Sequence, residues 1–519
     1  MTIGGAIAAG HDETASVAAD VLADGGNAFD AALAAMCAAC IAEPALASPG
    51  GGGFLLALPA DGPPVVYDFF PQTPRRFRSE DDCDFFPIVA DFGAVQQEFH
   101  IGMGSIATPG FVRGLFDAHA DLGRMPMRRL VEPATALARA GTRISPMQAF
   151  VLGVIGPIFK SNAASMAVFG SRDRPDELIG DDEVLRMPEM ADALEVMAIE
   201  GADLFYRGEI ASIIVDHCAT HGGHLAADDL RHYTVERRHP LTVDLPSARL
   251  HVNPPPSLGG ILIAFALEML REIDVAGLGF GTDAYLKRLA RVMEVTNHAR
   301  AESGLQDEEP AGAAHALFDP ALIAAYRAAV QDHPTVTRGT THISVIDATG
   351  NAAALSLSNG EGSGYIVPGA GFMLNNMLGE EDINPCGFHR WPADTRMSSM
   401  MAPMVVTEAY GTVAALGSGG SNRIRTAILQ VVLNLLMFRA PLAEAVARPR
   451  IHFENRHLDV EPGFDDGAID ALAEAFPDIK RWDALNMFFG GVHAARRAPG
   501  GNGFDAAGDP RRDGVGRVI

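Results

Sequence analysis

Apolar and polar residues follow a helical period along much of the first two-thirds of the chain. Residues 12–43 show this pattern, which Gly25 and Gly26 interrupt, and Asn27 is suited to cap the second of two helices. Further helical patterns cover residues 105–141, 186–220, the stretch from the loop 253–260 to about 273, 282–304 and 319–330. The stretch 75–101 is charged, aromatic and irregular, so it predicts no regular element. The pattern therefore predicts a mainly helical first part.

After Thr340, apolar and polar residues alternate with a period of two. The predicted strands lie at 341–346, 352–358, near 403–408 and at 411–417. A helix at about 422–439 follows the last strand, and the polar stretch 331–339 is the best candidate for an internal boundary. We therefore expect two segments, a mostly helical one over 1–339 and a strand-rich one over 340–519.

Composition and charge narrow the function. The chain has 519 residues, of which 48% are hydrophobic and 20% charged, which is typical of globular proteins. Its formal net charge of −25 disfavours nucleic acids and anionic membranes as partners, because phosphate groups are bound by basic surfaces. No run of about 18 apolar residues indicates a transmembrane helix. The first residues lack the features of a signal peptide, so we expect a cytoplasmic location, or a periplasmic one if a leader was trimmed.

The cysteines and acids do not suggest a metal or redox centre. Five cysteines are an odd, sparse number that argues against a disulfide framework. Cys37 and Cys40 form a CxxC inside an alanine-rich helical run, where a buried apolar pair is the better interpretation. The acids at 380–382 match no usual metal-ligand spacing. We expect no cofactor and no metal.

The chemistry of interest lies in the predicted hairpin that begins at Thr340. If its turn centres near Thr349, then Thr340 faces Ser358 across the two strands, about 5 Å away. A register slip would make Ser356 the partner instead. The non-catalytic alternative is a surface turn that leads into an ordinary hairpin.

A threonine hydroxyl is a weak nucleophile and needs a base. A free α-amine is such a base, because its pKa of about 8 allows it to take a proton near neutrality. Thr340 acquires a free amine only if the bond between Gly339 and Thr340 breaks, and the same hydroxyl can break it by attacking the preceding carbonyl. Gly339 has no side chain to hinder that attack. The sequence thus predicts a cleavage site at Gly339 and Thr340.

Acyl transfer also needs hydrogen-bond donors for the oxyanion. The glycine-rich turn 417–421 lies at a predicted strand-to-helix junction, where backbone N–H groups and the helix N-terminus favour an anion. An ordinary turn is the competing interpretation. The glycine run 50–53 is better explained by close backbone packing than by nucleotide binding, because no GK[ST] and no helix pattern follow it.

Ten motifs in order resemble the γ-glutamyltranspeptidase family, which belongs to the N-terminal-nucleophile (Ntn) hydrolases. They are GGNAFDAA, SPGGGGFLL, IATPGFVRGLFDAH, LVEPATALARAG, NPPPSLGGI, TTHISVIDATGNA, GSGYIVPGAGFMLNNM, RMSSMMAP, GSGGSNRI and DPRRDGVG. The resemblance covers residues from about 3 to 519. It implies an α+β fold of the αββα four-layer type, self-cleaved into 1–339 and 340–519, which remain together as partners.

The resemblance also implies residue roles. Thr340 corresponds to the nucleophile, and Ser358 falls near a family threonine that supports it. Gly419 and Gly420 correspond to the oxyanion-hole glycines, with a register uncertain by one residue. The implied substrate-binding residues are Ser398 and Ser399 for an α-carboxylate, Glu380 for an α-amine, and Asn359 and Asn376 beside them.

Two positions depart from the family pattern. Phe70 stands where the family usually has an arginine that pairs with the α-carboxylate of the substrate, and phenylalanine cannot replace a bidentate guanidinium contact. Met377 stands where the family often has a polar side chain near the α-amino group. Arg75 or Arg76 could reach in, although exposed loop arginines are more often solvated. Both departures make the pocket less polar.

Three functions remain open on the sequence. The first is a γ-glutamyl hydrolase or transferase acting on amides such as glutathione. The second is a related amidase of different acyl specificity, for example a cephalosporin or glutaryl acylase, which Phe70 and Met377 favour. The third is a non-catalytic binding protein of the same fold. A triad role for His342 competes with a structural one, which an amine base makes the better interpretation. A dimer of the cleaved heterodimers is a further possibility.

Overall fold

The computed structural model describes residues 4–91, 96–302, 339–384, 387–408, 410–501 and 503–519. The helix expected at 319–330 and nearly all of the expected boundary 331–339 lie outside these residues. Among the described residues, no helix has the length and apolar character needed to cross a membrane.

Two large antiparallel sheets form the centre of the molecule. The strands are β1 (Gly5–Ala9), β2 (Gly52–Leu58), β3 (Val65–Phe69), β4 (Phe86–Asp91), β5 (Gln96–Ile101), β6 (Thr142–Arg143), β7 (Val184–Leu185), β8 (Glu236–Arg238), β9 (Leu241–Leu245), β10 (Ala248–Val252), β11 (Thr341–Asp347), β12 (Ala352–Ser358), β13 (Met404–Glu408), β14 (Val413–Gly419), β15 (Ile451–Glu454), β16 (His457–Val460), β17 (Ile479–Arg481), β18 (Gly491–Arg497), β19 (Phe504–Ala507) and β20 (Val515–Val518). The first sheet has the order β20-β1-β11-β12-β2-β3-β8, and the second has the order β19-β18-β14-β13-β10-β9.

Helices cover the outer faces of both sheets. The helices are α1 (Asp12–Ala23), α2 (Ala28–Ala42), α3 (Phe111–Leu122), α4 (Met127–Ala140), α5 (Pro146–Val154), α6 (Gly156–Phe159), α7 (Ala163–Phe169), α8 (Pro188–Glu200), α9 (Asp203–Tyr206), α10 (Glu209–Thr220), α11 (Ala227–Arg231), α12 (Leu258–Leu270), α13 (Val275–Leu278), α14 (Asp283–Glu302), α15 (Arg423–Leu436), α16 (Leu442–Ala447) and α17 (Asp466–Ala475). Helices α1 to α3 pack on the first sheet, and α12 and α15 pack on the second.

The strand alternation of β11 shows how the layers are built. Ile343 and Val345 point into the core beneath the helices α1 to α4, whereas Ile346 points into the core shared by the two sheets. Such alternation is expected of a strand with both faces buried. The layer order helix, sheet, sheet, helix confirms the predicted αββα four-layer fold.

The two segments on either side of Thr340 are interleaved. In the first sheet, β11 and β12 lie between β1 and β2, so strands of the later segment are enclosed by strands of the earlier one. In the second sheet, β13 of the later segment pairs with β10 of the earlier one. A cut before Thr340 would therefore leave each sheet built from both pieces.

Most of the sequence-predicted elements are confirmed. The two helices of residues 12–43 are α1 and α2, and Asn27 caps α2 by accepting hydrogen bonds from two backbone amides. The expectation of no regular structure over 75–101 is wrong, because β4 and β5 form a hairpin there. The sequence pattern does not reveal this hairpin, because its polar residues are not confined to one face. Cys37 and Cys40 are buried in α2, as expected of an apolar pair, and burial raises the pKa of Cys37 to about 12.

Candidate active site

The hairpin β11–β12 has the predicted register. Thr341 pairs with Leu357, so continuing the ladder by one residue brings Thr340 opposite Ser358. The Ser358 hydroxyl donates a 2.9 Å hydrogen bond to the carbonyl oxygen of Gly339 and accepts one from the Gly360 amide at 3.0 Å. The carbonyl that Thr340 would have to attack is therefore already held by Ser358.

A buried carboxylate holds the other end of Gly339. Its amide donates a 2.7 Å hydrogen bond to Glu361 Oε1, and the Glu361 side chain is almost completely buried. The turn that carries Glu361 is fixed by Asn376, whose Oδ1 accepts the amides of Glu361 and Gly362 at 2.9 and 3.1 Å. Asn376 thus supports the turn that holds Gly339.

Gly419, Gly420 and Arg512 lie on the other side of Thr340. A Cβ added to Gly419 would lie 2.0 Å from the Thr340 carbonyl oxygen, so only glycine permits this approach. Gly420 has φ +118°, a conformation that favours glycine. Arg512 Nη1 donates to the same Thr340 oxygen at 3.2 Å, and burial lowers the pKa of Arg512 to about 10. The glycine turn leads directly into α15, as the sequence predicted.

The residue after the candidate nucleophile is fixed by a second buried acid. The Thr341 hydroxyl donates a 2.5 Å hydrogen bond to Glu43, which also accepts one from Thr14 at 3.0 Å. Burial raises the pKa of Glu43. This contact anchors the beginning of β11 to the end of α2, directly beside Thr340.

A pocket opens at Thr340, with about 360 Å³ of space that is partly open to solvent. Gly339 lines it with its backbone, and the polar side chains of the lining are those of Thr340, Ser358, Glu380, Asp382, Ser399 and Ser421. The Ser421 hydroxyl donates to Asp382 at 2.9 Å. Among the described residues that line the pocket there is no lysine, arginine or histidine. The charged groups at its surface are therefore the carboxylates of Glu380 and Asp382.

The other side chains that line the pocket are apolar, and together we call them the apolar wall. It consists of Phe70, Met377, Ile383, Met400, Met401 and Ile424. Phe70 stacks on Phe54 with a centroid separation of 5.4 Å, so its ring is held by the core between the sheets. Arg75 does not supply a cation, because it pairs with Asp394 at the surface at 2.9 Å, and Arg76 is exposed.

The remaining candidate binding residues are spread around the pocket. Ser399 is buried and lines it, and its hydroxyl accepts the Met401 amide at 3.1 Å. Ser398 is half-buried and does not belong to the lining. Asn359 and Asn376 are buried behind the lining, where the Asn359 amide lies 3.5 Å from the Leu374 carbonyl oxygen.

His342 has a structural environment. Its ring lies between the hydroxyls of Ser356 and Ser344, at 2.8 and 2.9 Å, and it is fully buried between the sheets. A Cβ on Gly417 would lie 2.3 Å from this ring. Burial lowers the pKa of His342 well below its usual value. A neutral ring with serine partners on both nitrogens is a core group of the fold.

Three residues of the site were not singled out from the sequence. Glu361 could have been found, because it is an acid in the glycine turn directly after the hairpin. Arg512 lies in the family motif DPRRDGVG, but the sequence does not indicate that it contacts Thr340. Glu43 is far from the hairpin in sequence, and only the packing of α2 on β11 brings it there.

Comparisons with known proteins identify the family of this chain. The family model described as gamma-glutamyltranspeptidase matches residues 14–519. A glutathione hydrolase proenzyme from Pseudomonas aeruginosa is 31% identical, over 99% of this chain and 95% of that protein. An acylase ACY 1 proenzyme from Pseudomonas sp. strain SE83 is 28% identical, over 90% of this chain and 86% of that protein.

A solved structure shows the same fold. The cephalosporin acylase from Bacillus halodurans superposes with a TM-score of 0.84 at 22% identity, over 99% of this chain and 95% of that one. At this identity the likeness concerns the fold alone. The family match extends over nearly the whole sequence and includes both the hairpin and the glycine turn. This chain therefore belongs to the γ-glutamyltranspeptidase family.

Proposed function

We propose that this chain is a self-processing amidohydrolase and acyltransferase that cleaves γ-glutamyl amides such as glutathione through an acyl group on Thr340. The observation that carries the proposal is the position of Gly339 and Thr340 in the pocket, with the Gly339 carbonyl held by Ser358. The relative from Pseudomonas aeruginosa, a glutathione hydrolase proenzyme, supports both the substrate class and the self-processing.

Self-cleavage begins with attack of the Thr340 hydroxyl on the Gly339 carbonyl carbon. A C–O bond forms, the C–N bond between the two residues breaks, and the hydroxyl proton is transferred to the Thr340 nitrogen. Water then hydrolyses the resulting ester, which releases the carboxyl group of Gly339 and restores the hydroxyl. Thr340 is left with a free α-amine, the base that its hydroxyl needs.

Turnover uses the same hydroxyl. The α-amine of Thr340 accepts the hydroxyl proton during attack on the γ-carbonyl and passes it to the departing amine. The backbone amides at Gly419 and Gly420 stabilise the oxyanion. Water or an amino acid then takes the acyl group, and Thr340 is regenerated.

The carboxylates of the pocket favour the ammonium group of a γ-glutamyl substrate. Glu380 and Asp382 both line the pocket, and opposite charges attract in a partly desolvated site. Hydroxyls of Ser398 and Ser399 are the groups proposed for the α-carboxylate. Asn359 and Asn376 lie behind the lining, and we propose that they act by holding the loops in place.

The two cleaved chains are proposed to stay together, because both sheets contain strands from each. A cytoplasmic location and a dimer of heterodimers remain predictions.

A time course tests the proposal. Freshly purified protein is sampled during maturation, and each sample is assayed for cleavage on a denaturing gel and for release of nitroaniline from γ-glutamyl-p-nitroanilide. Activity should rise in step with the cleaved fraction. Full activity in a fully intact chain would contradict the role of the Thr340 amine.

A second candidate function is an amidase with a different acyl group, which the apolar wall favours. Phe70 and Met377 give no polar contact to an α-carboxylate, and no cation lines the pocket among the described residues. The acylase ACY 1 proenzyme at 28% identity supports this candidate.

Four p-nitroanilides separate the two functions, because they vary the amine and the carboxylate independently. They are the γ-glutamyl, 4-aminobutyryl, glutaryl and butyryl anilides. The first function predicts that γ-glutamyl is cleaved faster than glutaryl, because Glu380 and Asp382 attract an ammonium and repel a lone carboxylate. A preference for glutaryl or butyryl anilides would favour the acylase.

A further inference from the structure

We propose that Glu361 is a positioning residue for self-cleavage. Its carboxylate holds the Gly339 amide so that the Gly339 carbonyl stays oriented for attack by the Thr340 hydroxyl. This inference rests on the proposed cleavage between Gly339 and Thr340, and it concerns the first step of that cleavage.

Gly339 is held by hydrogen bonds on both of its backbone polar groups. Its N–H donates to Glu361 at 2.7 Å, and its carbonyl oxygen accepts from Ser358 at 2.9 Å. Glycine has more backbone freedom than any other residue, so a glycine with only one of these bonds would sample many carbonyl orientations. Holding both groups restricts the orientation of the Gly339 carbonyl, and fixing a reacting group in place is a large source of rate enhancement.

The position of Glu361 is itself well determined. Its backbone amide and that of Gly362 donate to Asn376 Oδ1, and the side chain is 2% exposed. A side chain fixed in this way can hold another group in place without losing much conformational freedom of its own.

The same contacts explain why a glycine precedes Thr340. A Cβ on Gly339 would lie 3.0 Å from Glu361 Oε2 and 3.3 Å from the carbonyl oxygen of Gly360. A larger residue would press against the carboxylate that holds the amide, and that carboxylate would have to shift by a few tenths of an ångström.

A rival explanation is that Glu361 acts by its charge. Arg512 interacts electrostatically with Glu361 and donates a hydrogen bond to the Thr340 carbonyl oxygen. Removing the charge of Glu361 could therefore disturb Thr340 through Arg512. The two explanations, direct contact and charge, predict opposite results for two conservative substitutions of Glu361.

The test compares the self-cleavage rates of Glu361→Gln and Glu361→Asp with that of the wild type. Each chain is made by cell-free synthesis, and its cleavage is followed by denaturing gel and intact mass. Glutamine keeps the length and the acceptor oxygen but loses the charge, so its rate should stay within about three-fold of wild type. Aspartate keeps the charge but does not reach Gly339, so its rate should fall about ten-fold or more. Glu381→Gln, a change of an exposed acid on a nearby loop, serves as the matched control and should cleave at the wild-type rate.

Treatment with hydroxylamine shows which step of self-cleavage a substitution slows. It cleaves the ester form rapidly, so it accelerates a variant that is slow in ester hydrolysis but not one that is slow in the attack of Thr340. We expect no acceleration of Glu361→Asp. Acceleration by hydroxylamine, or a Gln variant slower than the Asp variant, would overturn the inference while leaving self-cleavage intact. A wild-type chain that never cleaves would instead contradict the proposed function itself.

Discussion

The two sides of the pocket are built in different ways. On the hairpin side, Gly339, Thr340 and Ser358 are positioned by backbone register and by hydrogen bonds to Glu361 and Arg512. The apolar wall consists of side chains that project from five different stretches of chain and that contact the pocket through carbon, sulfur and aromatic groups.

Because of this difference, the cleavage reaction and its acyl specificity depend on different residues. The geometry of the hairpin side depends on strand register and on a few buried side-chain hydrogen bonds, such as that of Glu361 to the Gly339 amide. The apolar wall acts through its side chains, so substitutions there can change acyl preference while the residues of the cleavage chemistry stay the same. The presence of a glutathione hydrolase and an acylase among the relatives is consistent with this division.

The largest effect is expected on the hairpin side, for Thr340→Ala. Without the hydroxyl, neither self-cleavage nor turnover has a nucleophile, so activity should fall by at least about 10³-fold and the chain should stay intact. Denaturing gels and the γ-glutamyl-p-nitroanilide assay measure the two losses. Thr340→Ser is the matched control, because it keeps a hydroxyl and should still cleave itself. A cleaved and active Ala variant would exclude Thr340 as the nucleophile.

On the apolar wall, Phe70→Arg should change selectivity without stopping the reaction. A guanidinium at this position would pair with the α-carboxylate of the substrate. The ratio of kcat/KM for γ-glutamyl to that for 4-aminobutyryl anilide should rise about ten-fold. Phe70→Leu, which adds no charge, should leave this ratio unchanged. An equal rise in both variants would mean that space, and not charge, limits binding of the carboxylate.

The substitution His342→Leu tests whether His342 has a structural role or a catalytic one. In His342→Leu, the Ser356 hydroxyl loses its partner in the core and the Ser344 hydroxyl keeps only its bond to the His493 carbonyl oxygen, so the free energy of unfolding should fall by about 2 kcal/mol. Urea unfolding of the uncleaved Thr340→Ala background measures this change. The kcat of the cleaved His342→Leu enzyme should stay within about three-fold of wild type. A loss of about 10²-fold or more would instead indicate general-base catalysis by His342.

A smaller effect is expected for the pH dependence of stability. His493 is buried, accepts a hydrogen bond from the Asp509 amide on Nδ1, and burial lowers its pKa from 6.5 to about 4. The unfolded chain takes up a proton below about pH 6.5, whereas the folded chain does not until about pH 4. This histidine therefore costs the folded state up to about 1.4 kcal/mol per pH unit as the pH falls through that window.

His493→Gln should remove this part of the pH dependence. Urea unfolding in the Thr340→Ala background, repeated between pH 7.5 and 4.5, should give a smaller loss of unfolding free energy for the Gln variant at acid pH. The difference between the two chains at pH 7.5 serves as the reference, since His493 is neutral in both states there. Parallel pH curves would show that His493 titrates alike in the folded and unfolded chains.

The sequence predicted the hairpin side well because its geometry follows from local rules. Strand alternation and one turn position predicted Thr340 opposite Ser358, with Ser356 as the alternative that the structure excludes, and the glycine turn at Gly419 and Gly420 was readable as a strand-to-helix junction. The resemblance to the family then supplied the αββα layers, which alternation alone did not determine.

The rest of the site depends on contacts between distant parts of the chain. Glu43 reaches Thr341 only because α2 packs on β11, and Arg512 reaches Thr340 from near the end of the chain. The hairpin of β4 and β5 was missed because its polar residues obscured the alternation. The departure at Phe70 was visible in the sequence, but only the structure shows that Arg75 and Arg76 lie away from the pocket and that no cation is among its described lining residues.

The most direct test of the central claim is the intact mass of the purified wild-type chain under denaturing conditions, with N-terminal sequencing of its fragments. We predict two pieces that correspond to residues 1–339 and 340–519, the smaller of which begins Thr-Thr-His. A chain that stays whole while cleaving anilides, or one that is cut at another bond, would contradict the assignment of Thr340 as the N-terminal nucleophile.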